Sequence, residues 1–393
     1  MPLDSRPPAF PRMRRLRLLY PWYGTTSGIS GCATHFLDAL EANPELRARF
    51  APEHWLTTAN PAVRRAYRRQ LYPHVFGKVL HRVATQRWLS THVVRRYARS
   101  ARSGDVAWLF PSVEAPVYRE MRERGCFVVK ELINTALGAH RDSLVRAHEV
   151  LGWEPGVLPP FPNIEEERQQ LPHAHVFFSC SPQVTRTFVE AGADPARMVE
   201  TSYAWSPEEF RPRRTPHEGF RFLFVAAGSV RKGLPHLLLA WERARVDATL
   251  VVVGRLDTVV EQRCGALLRG PRIEYHPWTR DLAGVYSGAD AFVLPSFEEG
   301  SPLVSYLALA AGLPCLMTPE SAGWVVRDGI EGLHAPAGDT EAWAQLLRRC
   351  VEDRELVQRL AANAAPRAAE YTWAKVMERR CKALLERLAA AGQ

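Results

Sequence analysis

The sequence predicts an α/β chain of two Rossmann-like, doubly wound domains facing a cleft, and three observations predict it. Short apolar, β-branched or aromatic runs alternate with longer helical patterns, the rhythm of parallel strands joined by crossover helices. At 393 residues the chain is long enough for two domains that each bury a core. A polar, Pro-rich stretch over residues 206–218, SPEEFRPRRTPHE, divides the rhythm into halves and reads as a linker. Ligands of such sheets sit at the carboxyl ends of the strands.

The elements follow in order. Residues 1–13 read as a flexible tail, with an apolar stretch too short for a secretory signal. The first domain, 14–205, draws its strands from Leu16–Tyr20, Val106–Phe110, Phe127–Lys130 and His175–Ser179, with a loop at Pro159–Pro162. The second, 219–372, draws them from Phe222–Ala226, Thr249–Val253, Arg272–Tyr275, Ala291–Leu294 and Pro314–Met317. Helical patterns such as Leu234–Arg245 and Thr340–Cys350 intervene, and residues 373–393 form a terminal helix.

Composition narrows the class. Apolar residues make up 46% and charged residues 24%, which is globular rather than disordered. No run approaches the roughly 20 apolar residues of a membrane span, so the expected place is cytoplasmic, or peripheral on an inner membrane face. The seven cysteines are scattered, with no C-x-x-C pair and no His cluster at ligand spacing. That argues against zinc and a disulfide framework and fits a reducing compartment.

The net charge of +9 is unevenly placed. Between His54 and Gly104 there is no acidic residue, yet there are eleven Lys or Arg, including Arg64, Arg65, Arg68, Arg69, Arg95, Arg96 and Arg99, with Tyr67, Tyr72, Phe76, Trp88 and Tyr97 interleaved. Such a stretch suits an anionic membrane surface or an acidic partner; the plainer reading is a solvated basic helical face. No nucleic-acid-binding module accompanies the charge, so no nucleic acid partner is expected.

Two segments carry chemistry. In PSFEEGSPLVSYLALAAG (295–312) a buried strand ends at Pro295 and an acidic, Gly-containing turn follows. Ser301 stands as an N-cap, Pro302 as the first helical residue, and Gly312 where a left-handed helix terminator belongs. The free N–H groups at such a helix start suit an anion such as a diphosphate. Glu299, with Gly300 beside it, falls at the strand's carboxyl edge, where a carboxylate can accept hydrogen bonds from hydroxyls of a bound sugar. In GFRFLFVAAGSVRKG (219–233) a strand leads into Gly228 and Ser229, which let a ligand approach the backbone, then Arg231, Lys232 and Gly233 before a helix. Arg231 and Lys232 can neutralise phosphates, one as a fork and one as a point charge.

In this order the two segments resemble the group 1, family 4-like retaining glycosyltransferases of the B fold. That family carries a strand–G-x-K-G turn, then P-S-x-x-E-G before a helix ending A-x-G-x-P; here Lys232-Gly233, Pro295–Gly300 and Ala310–Pro314 match. The resemblance continues through Thr249–Gly254, LAGVYSGAD (282–290), VRDGIEGL (326–333) and Tyr371–Trp373. More weakly, Gly24, Gly28 and Gly31 look like the family's glycine loop after the first strand, and 179–198 looks like its segment before the crossover. The resemblance implies a nucleoside-diphosphate sugar donor of UDP or GDP type. It also implies an acceptor hydroxyl on a glycan, a lipid-linked or a small molecule, retention at the anomeric carbon, and no required metal or other cofactor. Catalytic roles fall on Glu299, Lys232 and Arg231, and donor contacts on Gly228, Ser229, Gly233, Gly300, Ser301 and Pro302. The first domain would be the acceptor side and the second the donor side.

The chain also departs from the pattern. The family's E-x7-E signature puts a ribose-holding carboxylate at 307, where this chain has Leu307, more simply a member of the helix's buried face. Ser301 or Ser305 would then hold the ribose, or donor binding is weakened. In place of the family's His after the strand near residue 128 stand Lys130 and Glu131. Glu131 could take a polar role towards sugar or acceptor, but reads more simply as a surface residue after a strand. His35 is a further candidate and otherwise a plain helix residue. Trp278 could flank the base or be a core residue. The alternative function is a non-catalytic protein of this fold that binds a membrane or acidic partner, with an epimerase or phosphorylase on a similar fold as a third reading.

Overall fold

The computed structural model describes residues 14–23, 35–36, 38–39, 42–57, 94–155 and 164–392. The tail, Gly24, Gly28 and Gly31, the Pro159–Pro162 loop and the basic stretch from 58 to 93 lie outside the described residues.

Two parallel six-stranded sheets form the frame. The first contains β1 (Arg14–Tyr23), β2 (Phe50–Thr57), β3 (Val106–Leu109), β4 (Phe127–Leu132), β5 (Val176–Ser179) and β6 (Met198–Glu200), in the order β2-β1-β3-β4-β5-β6. The second contains β7 (Phe220–Val225), β8 (Ala248–Val253), β9 (Ile273–His276), β10 (Ala291–Leu294), β11 (Cys315–Met317) and β12 (Gly332–His334), ordered β12-β11-β10-β7-β8-β9. The strands the sequence predicts are all present. The three it misses, β2, β6 and β12, stand at sheet edges. β6 and β12 are only three residues long. β2, FAPEHWLT, contains Pro52 and Glu53, which read as non-strand; at an edge the missing proline N–H is tolerated.

By contacts the chain divides into two compact units: Met1–Glu131 with Pro172–Phe177 and Met377–Gln393, and Leu132–Leu171 with Phe178–Val376. In the first, Ala107, Leu109, Val128, Tyr118 and Met121 are part of a core cluster. Buried Arg17 on β1 donates through Nε to Glu53 across the β1–β2 pairing (3.1 Å), and its guanidinium lies 4.2 Å from the centroid of Tyr97. Glu53 is therefore the counter-charge of a buried strand arginine.

Glu131 is also buried, at 0% exposure, which overturns its reading as a surface residue. Arg380, from helix Trp373–Ala390, donates to both of its oxygens at 2.7 and 2.6 Å, and Trp108 Nε1 adds a third bond at 3.0 Å. The Arg380 guanidinium in turn sits 4.1 Å from the centroid of Phe36. His35, next in sequence, is helical.

In the second unit, apolar β7, β8 and β10 are sealed by helices on which Leu237, Trp241, Leu309 and Trp343 are buried. Residues 206–218 contain no helix or strand. They are nonetheless anchored: Phe210 packs edge-on against Tyr286, and Arg213 N donates to Ser287 Oγ at 2.8 Å.

Candidate functional site

The strand order creates the site. From β7 the chain winds outward to β8 and β9, then returns to β10 on β7's other side and winds the opposite way to β11 and β12. The β7–β10 seam is thus the topological switch point of the second sheet, where the turns following two adjacent strands part and leave a crevice. The turn after β7 is 226–233 and the turn after β10 is 295–302, so the two segments singled out from sequence meet here.

Two glycines allow the meeting. Gly233 has φ +74°, and a Cβ there would lie 2.1 Å from the Pro295 carbonyl oxygen. A Cβ on Gly300 would lie 1.8 Å from the Ile133 carbonyl oxygen. Neither position admits a side chain. Gly228 serves differently: its N–H donates to the Arg255 carbonyl at 2.7 Å, and a Cβ would strike Leu256. Its small size makes room for that packing. Ser229 Oγ accepts from Lys232 N at 3.2 Å and shapes the turn internally.

The charged groups form two pairs. Lys232 Nζ contacts Glu299 Oε1, which also accepts from Ser296 Oγ at 2.8 Å. Arg231 Nη1 donates to Glu298 Oε2 at 2.8 Å and to the Glu298 carbonyl at 3.2 Å. A backbone bond from Phe297 N to Arg231 O, 2.9 Å, couples the turns directly. Glu298 is completely buried and accepts from Thr135 Oγ1 (2.7 Å) and Thr135 N (3.3 Å), with His140 Nδ1 at 2.9 Å. Burial is the largest influence on this carboxyl and pushes its pKa up. The His140 hydrogen bond, the Arg231 charge and the Thr135 hydroxyl together outweigh it and hold the group at about 2. Burial likewise works against the Arg231 charge, and Glu299 and Glu298 more than restore it.

Sequence reasoning missed Glu298 as a functional group. Its signal was present, a second carboxylate beside the motif glutamate. Thr135 and His140, on helix Leu137–Glu149 and the residues before it, gave no local signal, because their link to Glu298 spans over 150 residues.

Other expectations are adjusted. The helix after the acidic turn spans Leu303–Ala310 with Pro302 as its N-cap residue and no side-chain cap. Ser301 is not the cap: its hydroxyl is 2.6 Å from the Tyr306 hydroxyl. Ser305 Oγ donates to the Pro302 carbonyl at 2.8 Å and is buried. Leu307 is only half-buried; the buried face is carried by Ser305, Tyr306, Ala308 and Leu309. Gly312 has the expected left-handed backbone, φ +76°. Trp278 is 61% exposed beyond the carboxyl end of β9, with the Arg280 guanidinium 5.5 Å from its ring centroid, so it is not a core residue.

Comparison with known proteins bears on this geometry. Residues 219–353 match the family model described as glycosyl transferases group 1. A D-inositol 3-phosphate glycosyltransferase of Nocardia farcinica is 35% identical over 111 residues, 28% of this chain and 24% of that protein. A glycogen synthase of Mycobacterium tuberculosis is 30% identical over 200 residues, 48% of this chain and 46% of that protein. The chain spans less than half the length of these curated relatives. Among solved structures, sucrose-phosphate synthase from Thermosynechococcus elongatus superposes with a TM-score of 0.70 at 16% identity, covering 96% of this chain and 100% of that one. Anabaena HepE, crystallised with UDP and glucose, superposes at 0.65 with 15% identity, covering 95% and 100%. These superpositions show a shared fold, the two-sheet B fold expected from the sequence.

Proposed function

We propose that this chain, whose residues 219–353 match the family model of the group 1 glycosyl transferases, moves a sugar from a nucleoside-diphosphate donor to an acceptor hydroxyl with retention at the anomeric carbon. One observation carries the reading: Arg231, Lys232 and Glu299 converge on the switch point of the second sheet. Arg231, Lys232 and the uncapped start of helix Leu303–Ala310 supply fixed positive potential for the departing diphosphate, an electrostatic role. Glu299 positions the sugar hydroxyls, with Lys232 shifting from its carboxylate partner to phosphate as the donor enters. Exposed Trp278 offers a face on which the base can stack, at the same edge of the sheet. Residues 219–372 act as the donor side and 14–205 as the acceptor side.

The test is calorimetric titration with UDP and GDP, followed by a mass-spectrometric screen of sugar nucleotides. Lys232→Ala and Glu299→Ala are each expected to lower turnover at least about tenfold, the scale of one charged contact. Well-folded variants with unchanged rates would remove these residues from the site.

A peripheral membrane role is part of the same proposal. Arg95, Arg96 and Arg99 are exposed on the helical segment 94–99. Salt-sensitive sedimentation with anionic liposomes is expected; equal binding to neutral vesicles would count against it.

A further inference from the structure

We propose that Glu298 is a positioning residue for the donor: its buried carboxylate sets the angle of the Arg231 guanidinium and locks it to Thr135 and His140. The inference rests on the donor-site reading above.

Glu298 and Glu299 are neighbours but are held differently. On Glu299, Lys232 and Ser296 both meet Oε1. On Glu298 both oxygens are engaged, Oε1 by Thr135 and Oε2 by Arg231 and His140. At 0% exposure Glu298 does not reach a ligand itself and acts through what it holds.

What it holds is one edge of a planar group. Arg231 Nη1 is fixed twice by the same residue, at 2.8 Å by the Glu298 carboxylate and at 3.2 Å by its carbonyl. Two bonds to one nitrogen set the tilt of the guanidinium plane. Nε and Nη2, the other edge, have no hydrogen-bond partner among the described residues, and the side chain is 27% exposed. A guanidinium presented on that edge is a fork for two phosphate oxygens, and its value depends on orientation in a way that a lysine's does not. Thr135 and His140 keep the carboxylate itself from rotating. Glu298 therefore governs recognition of the distal phosphate without touching it.

The experiment compares affinity for a nucleoside diphosphate with that for its monophosphate, UDP against UMP and GDP against GMP, by calorimetry. In Glu298→Gln the diphosphate preference is expected to shrink by about tenfold, because a charged, oriented contact is lost. A defect of structure alone would weaken both nucleotides equally and leave the ratio intact; that result in a folded variant overturns the proposal. Should Glu298→Gln fail to fold, Thr135→Val decides. It keeps the carboxylate beside Arg231 and removes one restraint, so the ratio is expected to fall by a smaller factor, and an unchanged ratio overturns the proposal. If the wild-type protein prefers neither diphosphate over its monophosphate, the donor-site reading itself fails and this inference falls with it.

Discussion

Each unit buries a glutamate near the carboxyl end of a parallel strand, and each glutamate meets an arginine, but the two pairs are built for different ends. Glu131 is enclosed: Arg380 takes both of its oxygens, Trp108 adds a bond, and Phe36 covers the guanidinium. Glu298 is equally buried, yet among the described residues its arginine keeps one edge uncommitted beside a sheet's switch point. A buried carboxylate is therefore not a functional signal by itself. What its cation has left over decides.

The largest expected effect tests the enclosed pair. Removing one partner of a buried ion pair strands the other, at about 3–5 kcal/mol. Glu131→Ala is expected to lose about that much in urea unfolding, with UDP affinity of the folded fraction unchanged. Replacing both Glu131 and Arg380 by apolar residues of similar size is expected to recover much of the loss. A stable Glu131→Ala protein with weakened nucleotide binding would break the contrast between the pairs.

Acid probes the second unit. His236, on the helix that follows the Arg231–Gly233 turn, is buried with its ring 4.6 Å from that of Phe297. Burial, opposed in part by the Ala147 carbonyl, pushes its pKa down to about 4 from 6.5. The unfolded chain thus takes up a proton that the folded one refuses. Stability falls as pH drops from 6.5 towards about 4, by up to roughly 3 kcal/mol. Glu298, depressed from 4.5 to about 2, adds a second loss as pH falls through that lower window. Amide exchange should show β7 and β10 losing protection in the upper window, with His236→Leu flattening it. The same pH slope in His236→Leu and the wild type would remove His236 from the account.

These contrasts also explain what was legible in the sequence. The second sheet could be read because its central strands each hold an unbroken apolar run, such as Phe222–Val225, Leu250–Val253 and Ala291–Leu294, and its site because both turns are local motifs: strand, glycine, cation or carboxylate, helix. The missed strands are edges, where pattern is short or polar. Glu53 in β2 takes its meaning from Arg17, opposite it across the strand pairing. Glu131 looked like a surface residue because its partner lies 249 positions away. The same distance problem hid Thr135 and His140, whose geometry only the fold supplies. Ser301 was misplaced as a cap because its hydroxyl had a tertiary partner, Tyr306, which no local pattern reveals.

The smallest expected effect concerns a carboxylate that is absent. At Glu131 and Glu298 this chain buries a negative charge where an arginine meets it, and Leu307 carries none. It stands half-buried on helix Leu303–Ala310, one turn beyond Leu303. A glutamate at 307 would find its partner in the ligand, through ribose hydroxyls. A hydrogen bond to a charged acceptor is worth about 1.5–3 kcal/mol, and partial desolvation of the new carboxylate takes back some of it. The net expectation for Leu307→Glu is tighter UDP or GDP binding by about fivefold, with little change in the diphosphate-to-monophosphate ratio, because ribose is common to both. The ratio separates the two kinds of contact: Glu298→Gln should change the ratio, and Leu307→Glu should strengthen both nucleotides together. Weaker binding of both nucleotides by Leu307→Glu would mean that ribose lies elsewhere and that leucine at 307 is part of the packing this site requires.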